Sequence, residues 1–284
     1  MLKILTAWRH RRHDARLVAK RVRRFAAADI LIVSYTKSGR TWLRVLLSKL
    51  LSEMHALSDR ELIDGDNFHR QQPLIPKIFF APDTRYPYPE LGEAQVRVAA
   101  QQRVIFLVRD PRDVAVSFFF HVQHRASEGE LRRKKVPLSA RALTIDAFVR
   151  HEACGVPRVL RYLNRWAEER RARPGSLLVR YEDLRADTRG ELGRVALYIG
   201  LQPNPDVLDR VTSFASFDNL QRMEREGFFA SDRLGLTRAG KNESAKVRKG
   251  KVGGYRDYLS LETIAFVDRL VQADLDPSYG YRQG

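Results

Sequence analysis

The residues best suited to chemistry lie in Thr36-Lys-Ser-Gly-Arg-Thr41, which combines two cations, three hydroxyls and one glycine. The aliphatic run 30–33 before them is typical of a buried parallel strand. Leucines at helical spacing follow them, at Leu43, Leu46, Leu47 and Leu50. A loop between a strand and a helix directs free backbone N–H groups and the positive end of the helix dipole at one point. We therefore predict a phosphate or sulfate site here, the alternative being a tight turn with solvated charges.

A second anion site is predicted after the strand Val104–Val108, in Arg109-Asp-Pro-Arg-Asp-Val-Ala-Val-Ser117. Pro111 suits the first turn of a helix, and Asp110 suits its N-cap. The guanidinium of Arg109 can bind a phosphate through two donors, and Ser117 adds an uncharged one. Local ion pairs that hold a helix start are the alternative.

A third basic segment, Arg248-Lys-Gly-Lys-Val-Gly-Gly-Tyr-Arg256, lies in a tract with almost no aliphatic residues. Its spaced glycines allow backbone to wrap closely around an anion. Considered alone, the segment fits a disordered basic loop better than an anion site.

Strands that alternate with helices predict an α/β fold, a single domain with a central parallel β-sheet flanked by helices. We assign residues 29–284 to this domain and residues 1–28 to a basic N-terminal segment. Residues 125–142 are predicted to form a loop and 177–183 a strand. His121 and His124 are interpreted as ordinary surface residues.

Composition narrows the classes of partner. The 284 residues are 44% hydrophobic and 30% charged, as in a folded soluble protein, and carry a net charge of +17. That charge favours anionic partners. The single cysteine, Cys154, suits a reducing compartment, and we predict a cytoplasmic protein. Segment 1–28 fits either a basic amphipathic helix on anionic lipid or glycan, which would be a peripheral membrane contact, or a solvated helix packed on the domain edge.

The three basic motifs together resemble those of the sulfotransferases that use 3′-phosphoadenosine 5′-phosphosulfate (PAPS). The segment from Tyr35 to Trp42 resembles the family's 5′-phosphosulfate loop, the Arg109 to Ser117 segment its 3′-phosphate motif, and the segment from Arg248 its late Arg-Lys-Gly-x-x-Gly motif. The resemblance covers roughly residues 29–265 and implies a P-loop-like sulfotransferase fold.

The resemblance also implies roles for individual residues. PAPS would be the co-substrate, without a metal, and Lys37 would stabilise the leaving oxygen. The implied cofactor-binding residues are Lys37, Ser38, Gly39, Arg40, Thr41, Trp42, Arg109, Ser117, Tyr181, Ser216, Phe217, Arg248, Lys249 and Gly250. Among these, Trp42, Tyr181 and Phe217 would contact the adenine.

One departure from the family concerns the base that deprotonates the acceptor. The family has a histidine where this chain has Pro82. The adjacent carboxylate Asp83 is our candidate for the catalytic base, and His69 is a rival. A base not identified from the sequence and loss of catalysis are the remaining alternatives.

Two other function classes compete with the sulfotransferase interpretation. A P-loop small-molecule kinase would need G-x-x-x-x-G-K-[ST], which the first loop lacks. A non-enzymatic binder of nucleic acid or acidic polysaccharide would use the net charge alone. We expect a small-molecule or glycan acceptor and no nucleic-acid partner; the sequence leaves the acceptor and the oligomeric state open.

Overall fold

Four parallel strands form the centre of the molecule, in the order β2-β1-β3-β4. The computed structural model describes residues 23, 26–59, 62, 68–81, 102–229 and 250–282. The strands are β1 (Ile30–Ser34), β2 (Ile78–Ala81), β3 (Arg103–Val108) and β4 (Leu177–Arg180). Their register sets Ile32 of β1 opposite Phe80 of β2 and Ile105 of β3.

The unbroken apolar run of β1 results from burial on both faces of the sheet. Ile30 and Ile32 pack into one hydrophobic cluster, whereas Leu31 and Val33 pack into a second cluster on the opposite face. Alternate side chains of a strand point to opposite faces, so both sets must be apolar. The parallel buried strand that the sequence predicts is confirmed.

Helices cover both faces of the sheet. They are α1 (Arg40–Met54), α2 (Pro111–His124), α3 (Glu128–Arg133), α4 (Ile145–Arg150), α5 (Val156–Arg171), α6 (Tyr181–Ala186), α7 (Thr188–Tyr198), α8 (Pro205–Phe214), α9 (Phe217–Glu226) and α10 (Leu261–Asp274). Short 3-10 helices occupy Leu138–Ala142, Gly254–Asp257 and Pro277–Tyr279. The hydrophobic cluster that contains Ile30 and Ile32 also includes residues of α1, α7, α8 and α9. The cluster on the opposite face, with Leu31 and Val33, includes residues of α2, α5 and α10.

The strand order creates a crevice where β1 and β3 lie side by side. β2 pairs with β1 on one side of β1, whereas β3 pairs on its other side and β4 follows β3. In open parallel sheets, ligands bind at such a switch point, outside the carboxyl ends of the strands. The first two basic motifs follow β1 and β3 directly.

Two local predictions are wrong. Residues 125–142 are not a loop, because Ser127 caps α3 by accepting a hydrogen bond from the Glu130 N–H (3.2 Å) and Leu131 anchors that helix in the core. The strand at 177–183 ends at Arg180. Tyr181 and Leu184 are both buried, at the spacing of one helical face, and thus belong to α6.

The α/β fold class with a parallel sheet is confirmed. Apart from residues 23 and 26–28, the basic N-terminal segment lies outside the described residues. Within the described ranges, no helix combines the length and the apolar character that crossing a bilayer requires.

Candidate active site

A cavity of about 330 Å³ lies at the carboxyl ends of the strands. The predicted site residues that line it are Lys37, Gly39, Arg40, Thr41, Trp42, Arg109, Ser117, Tyr181, Phe217 and Gly250. Ser38 and Ser216 are not among its lining residues, and Asp83, Arg248 and Lys249 lie outside the described residues. Of the described residues that line it, six are Lys or Arg and two are acidic, so the cavity suits an anion.

The first loop directs an uncapped helix terminus at this cavity. Gly39, the N-cap of α1, has a φ of 91° and no side chain, and the first turn of α1 has no acidic residue. Lys37 also has a positive φ, 70°, which is costly for a residue with a Cβ. Such strain concentrates at functional sites, where it holds a side chain in place. The backbone N–H groups at this terminus are therefore suited to binding an anion.

Arg40 lines the cavity and also joins the ends of two strands. Its Nη1 donates to the Oγ of Ser34 (3.1 Å) and to the carbonyl oxygen of Ala81 (3.4 Å). These bonds hold the carboxyl ends of β1 and β2 together. The structure thus gives Arg40 a scaffold role that the sequence did not indicate, and its contact with a ligand remains a prediction.

Arg109 links the second basic motif to the third segment and to the aromatic ring of Tyr181. Its Nη2 donates to the carbonyl oxygen of Lys251 (3.2 Å) and lies 3.4 Å from Oδ2 of Asp113, and its guanidinium lies 4.3 Å from the ring centroid of Tyr181. Within the part of the chain that the structure describes, its Nε makes no hydrogen bond. A guanidinium held in this way at the cavity is suited to binding a phosphate.

Asp113 attaches the third basic segment to the second. Its Oδ2 accepts from the Gly253 N–H and its Oδ1 from the Tyr255 N–H, both at 2.9 Å. Asp113 is itself buried, at 3% exposure. Sequence reasoning missed this role; the signal for it was a second aspartate in the motif, besides Asp110, which the sequence assigned to the N-cap.

Three aromatic rings and one arginine form a wall of the cavity. Trp42 meets Tyr181 edge-on with ring centroids 5.7 Å apart, and its Nε1 donates to the carbonyl oxygen of Ala215 (2.9 Å). The guanidinium of Arg185 lies within 6 Å of the rings of Trp42 and Phe217. Such a wall suits a planar, electron-rich base. Arg185 was not identified from the sequence.

The interpretation of His121 as a surface residue is wrong. It lines the cavity, and its Nε2 lies 2.9 Å from Oε1 of Glu130, which lines the cavity too. The turn Arg125–Ser127 brings α3 back beside α2, an arrangement that local sequence patterns do not reveal. His69 is not a lining residue, and its Nδ1 instead lies 2.6 Å from the carbonyl oxygen of Ile75.

Comparisons with known proteins agree with this geometry. The family model described as Sulfotransferase domain matches residues 27–278. Cytosolic sulfotransferase 17 of Arabidopsis thaliana is 26% identical over 265 residues, which cover 86% of this chain and 73% of that protein. Flavonol 3-sulfotransferase of Flaveria bidentis is 22% identical over 298 residues, which cover 97% of this chain and 91% of that protein.

A solved structure shows the same fold. The crystal structure of mouse sulfotransferase SULT7A1 complexed with PAP superposes with a TM-score of 0.61 at 20% identity. The match covers 90% of this chain and 86% of that chain.

Proposed function

Since the chain belongs to the sulfotransferase family, we propose that it transfers a sulfuryl group from PAPS to a hydroxyl or amine of an acceptor, releasing 3′,5′-ADP (PAP). One observation carries the proposal: segments after β1, β3 and β4, together with the turn at Gly250, meet at one cavity rich in cations. The PAP in the SULT7A1 structure supports this choice of nucleotide.

Lys37 would act on the leaving group. As the sulfuryl group moves to the acceptor, negative charge builds on the oxygen that bridges sulfur and phosphorus. A cation at that oxygen stabilises the transition state more than the ground state. Lys37 lines the cavity from the loop between β1 and α1, so its ammonium can reach a group bound at the start of α1.

The other predicted residues would hold the nucleotide. The helix terminus at Gly39 and the hydroxyl of Thr41 suit the 5′-phosphate. Arg109 and Ser117, which line the cavity, suit the 3′-phosphate, together with the predicted Arg248 and Lys249. Trp42, Tyr181 and Phe217 suit the adenine.

A small molecule is the acceptor class that we propose. The name of the Flaveria relative gives a flavonol as its acceptor, which supports this class. Relatives named as cytosolic sulfotransferases support a cytoplasmic location. Contact of segment 1–28 with an anionic membrane surface stays a prediction.

Nucleotide selectivity tests the proposed function. We expect PAP to raise the Tm far more than 5′-ADP does, because Arg109 and Ser117 would contact only a 3′-phosphate. At 100 times its Kd, a ligand stabilises the fold by about 2.7 kcal/mol. Thermal-shift titrations with PAP, PAPS, 5′-ADP and ATP measure the difference.

The same titrations on Arg109→Ala serve as the control, since this variant should lose most of the preference for PAP. Equal shifts by PAP and 5′-ADP in the wild type, with a Mg²⁺-dependent response to ATP, would instead favour the kinase alternative. PAP binding without transfer to any acceptor in a broad panel would indicate the catalytically impaired alternative.

A glycine beside the aromatic wall offers a second test. Gly250 has a φ of 58°, and a Cβ there would lie 2.7 Å from the ring of Phe217. Gly250→Ala should displace that ring and weaken PAP binding about tenfold, since overpacking costs roughly 1–3 kcal/mol. Calorimetric titration with PAP measures this loss.

Gly227→Ala is the matched control for backbone strain. Gly227 has a φ of 67°, and a Cβ there would meet nothing within 4 Å. Both variants should lose roughly 1–2 kcal/mol of stability from the left-handed backbone. A matching loss of PAP affinity in Gly227→Ala would refute a specific role of the Gly250–Phe217 contact.

A further inference from the structure

His121 lies beside the reactive end of the cavity. It occupies the last turns of α2 and lines the same cavity as Lys37, and the positive charge of Lys37 acts on its imidazole. Lys37 is the residue that we place at the oxygen that leaves sulfur. An ionisable side chain that lines the same cavity as Lys37 is a candidate to act in the same transfer step.

Two contacts fix the orientation of the His121 ring. Its Nε2 bonds to Oε1 of Glu130 at 2.9 Å, and its ring stacks on Phe118 with centroids 6.1 Å apart and planes 18° from parallel. The Lys134 ammonium lies 3.9 Å from the same Glu130 oxygen. A carboxylate that orients an imidazole is a common arrangement for a histidine base.

The carboxylate also determines which ring nitrogen holds the proton. Burial raises the pKa of Glu130, but the hydrogen bond with His121 and nearby positive charges outweigh it and lower the pKa to about 2. Glu130 is thus ionised and can only accept, so Nε2 of His121 carries the hydrogen. In the neutral ring, Nδ1 then holds a lone pair, and this buried atom has no hydrogen-bond partner in the part of the chain that the structure describes.

The surroundings keep the His121 ring neutral. Burial lowers its pKa below the ordinary value of 6.5, and the charges of Lys37 and Lys134 lower it further, against the opposing effect of Glu130. At neutral pH the imidazole is therefore able to accept a proton.

We infer that His121 is the general base that removes the acceptor's proton, with Glu130 as its positioning residue. This inference rests on the proposed sulfuryl transfer. In that step the acceptor oxygen bonds to sulfur, the bond from sulfur to the bridging oxygen breaks, and the acceptor proton passes to Nδ1 of His121. Because Nδ1 is buried in this structure, the His121 side chain must turn to present that nitrogen to the acceptor. The products are a sulfate ester and PAP, and the imidazolium then releases its proton to water. The chain would thus carry a base on α2 although Pro82 stands where the family has its histidine.

A pair of phenols of different acidity tests the base. The variant His121→Gln keeps a donor that can reach Glu130 but removes the basic nitrogen. With PAPS and 4-methylphenol, whose hydroxyl has a pKa of about 10 like tyrosine, we expect turnover to fall about 10²-fold or more. With 4-nitrophenol, which ionises without help at mildly alkaline pH, we expect little loss. His124→Gln is the matched control, because His124 lies on the same helix but does not line the cavity.

The pH profile gives an independent measure. Only the deprotonated imidazole is a base, so wild-type turnover of 4-methylphenol should rise with pH through the pKa of His121. Because that pKa lies below 6.5, turnover should level off by neutral pH. His121→Gln should lack this rise. In Glu130→Gln the rise should occur at a different pH, and a merely structural role for Glu130 would not produce such a shift.

The outcomes separate this inference from the proposed function. Absence of both PAP binding and transfer in the wild type contradicts the proposed function. Intact PAP binding with equal turnover of 4-methylphenol by wild type and His121→Gln contradicts only the inference. The same holds if Asp83→Asn, rather than His121→Gln, removes activity.

A spectroscopic test needs no acceptor. In ¹⁵N-histidine NMR of the wild type, with His121→Gln used for assignment, we expect a neutral His121 ring with its hydrogen on Nε2 at neutral pH. A protonated ring, or a neutral ring with its hydrogen on Nδ1, would overturn the inference whatever the acceptor is.

Discussion

Lys37→Ala should lower sulfuryl transfer by about 10²–10³-fold, the usual effect of removing one donor that stabilises transition-state charge. Affinity for PAP should stay largely intact, because the proposed contact strengthens only as the bridging oxygen becomes charged. Alanine has a Cβ as lysine does, so the cost of the positive φ is unchanged and the fold should keep its stability. Turnover with saturating PAPS, together with calorimetric PAP binding, measures both expectations.

Lys135→Ala is the matched control for this variant. Lys135 also has a positive φ, 48°, but it is exposed and does not line the cavity. Its loss removes the same charge from the same backbone conformation, and turnover should stay close to wild type. If Lys37→Ala instead lost PAP affinity and turnover in equal proportion, the lysine would contribute uniform binding rather than catalysis.

Arg112→Ala should lower the free energy of unfolding by about 3–5 kcal/mol, the cost of removing one partner of a buried ion pair. The Arg112 side chain is 3% exposed and donates to Asp110 (3.0 Å), to Asp268 (2.6 Å) and to the carbonyl oxygen of Tyr281 (2.7 Å). It thereby joins the start of α2 to α10 and to the end of the chain. Burial already raises the pKa of Asp110 to about 6 despite Arg112, so the variant would leave a buried carboxyl without its counter-charge.

Thermal unfolding measures this effect, with an expected fall in Tm of roughly 10 °C. Arg189→Ala is the control, because Arg189 makes a 2.6 Å ion pair with Asp209 in which both side chains are about half exposed. Exposed pairs contribute about 0–1 kcal/mol, so this variant should unfold near the wild-type temperature. Similar Tm values for the two variants would show that the buried network does not hold the C-terminal segment.

The sequence by itself determined the strands β1 and β3, the helices that follow them and the α/β class. These features depend on local signals, such as the aliphatic run of β1 and the leucine spacing of α1. Each of these signals lies within one continuous segment of the chain. The residue types of the first two motifs also predicted two anion sites, and Lys37 and Arg109 both line the cavity. Only the resemblance to the sulfotransferase family implied that the two motifs bind one nucleotide.

Only the tertiary structure decided what surrounds those residues. Asp113 holds the turn at Gly253 from 140 positions away, and Arg40 joins the ends of two strands. Glu130 lies beside His121 because the turn after α2 brings α3 next to it, and the apparent surface histidine is thereby partly buried and oriented. Contacts of this kind depend on how separate helices and strands pack against one another. Burial at these contacts then sets the pKa values of the ionisable groups that meet there. The periodicity of a short segment determines neither the packing nor the burial.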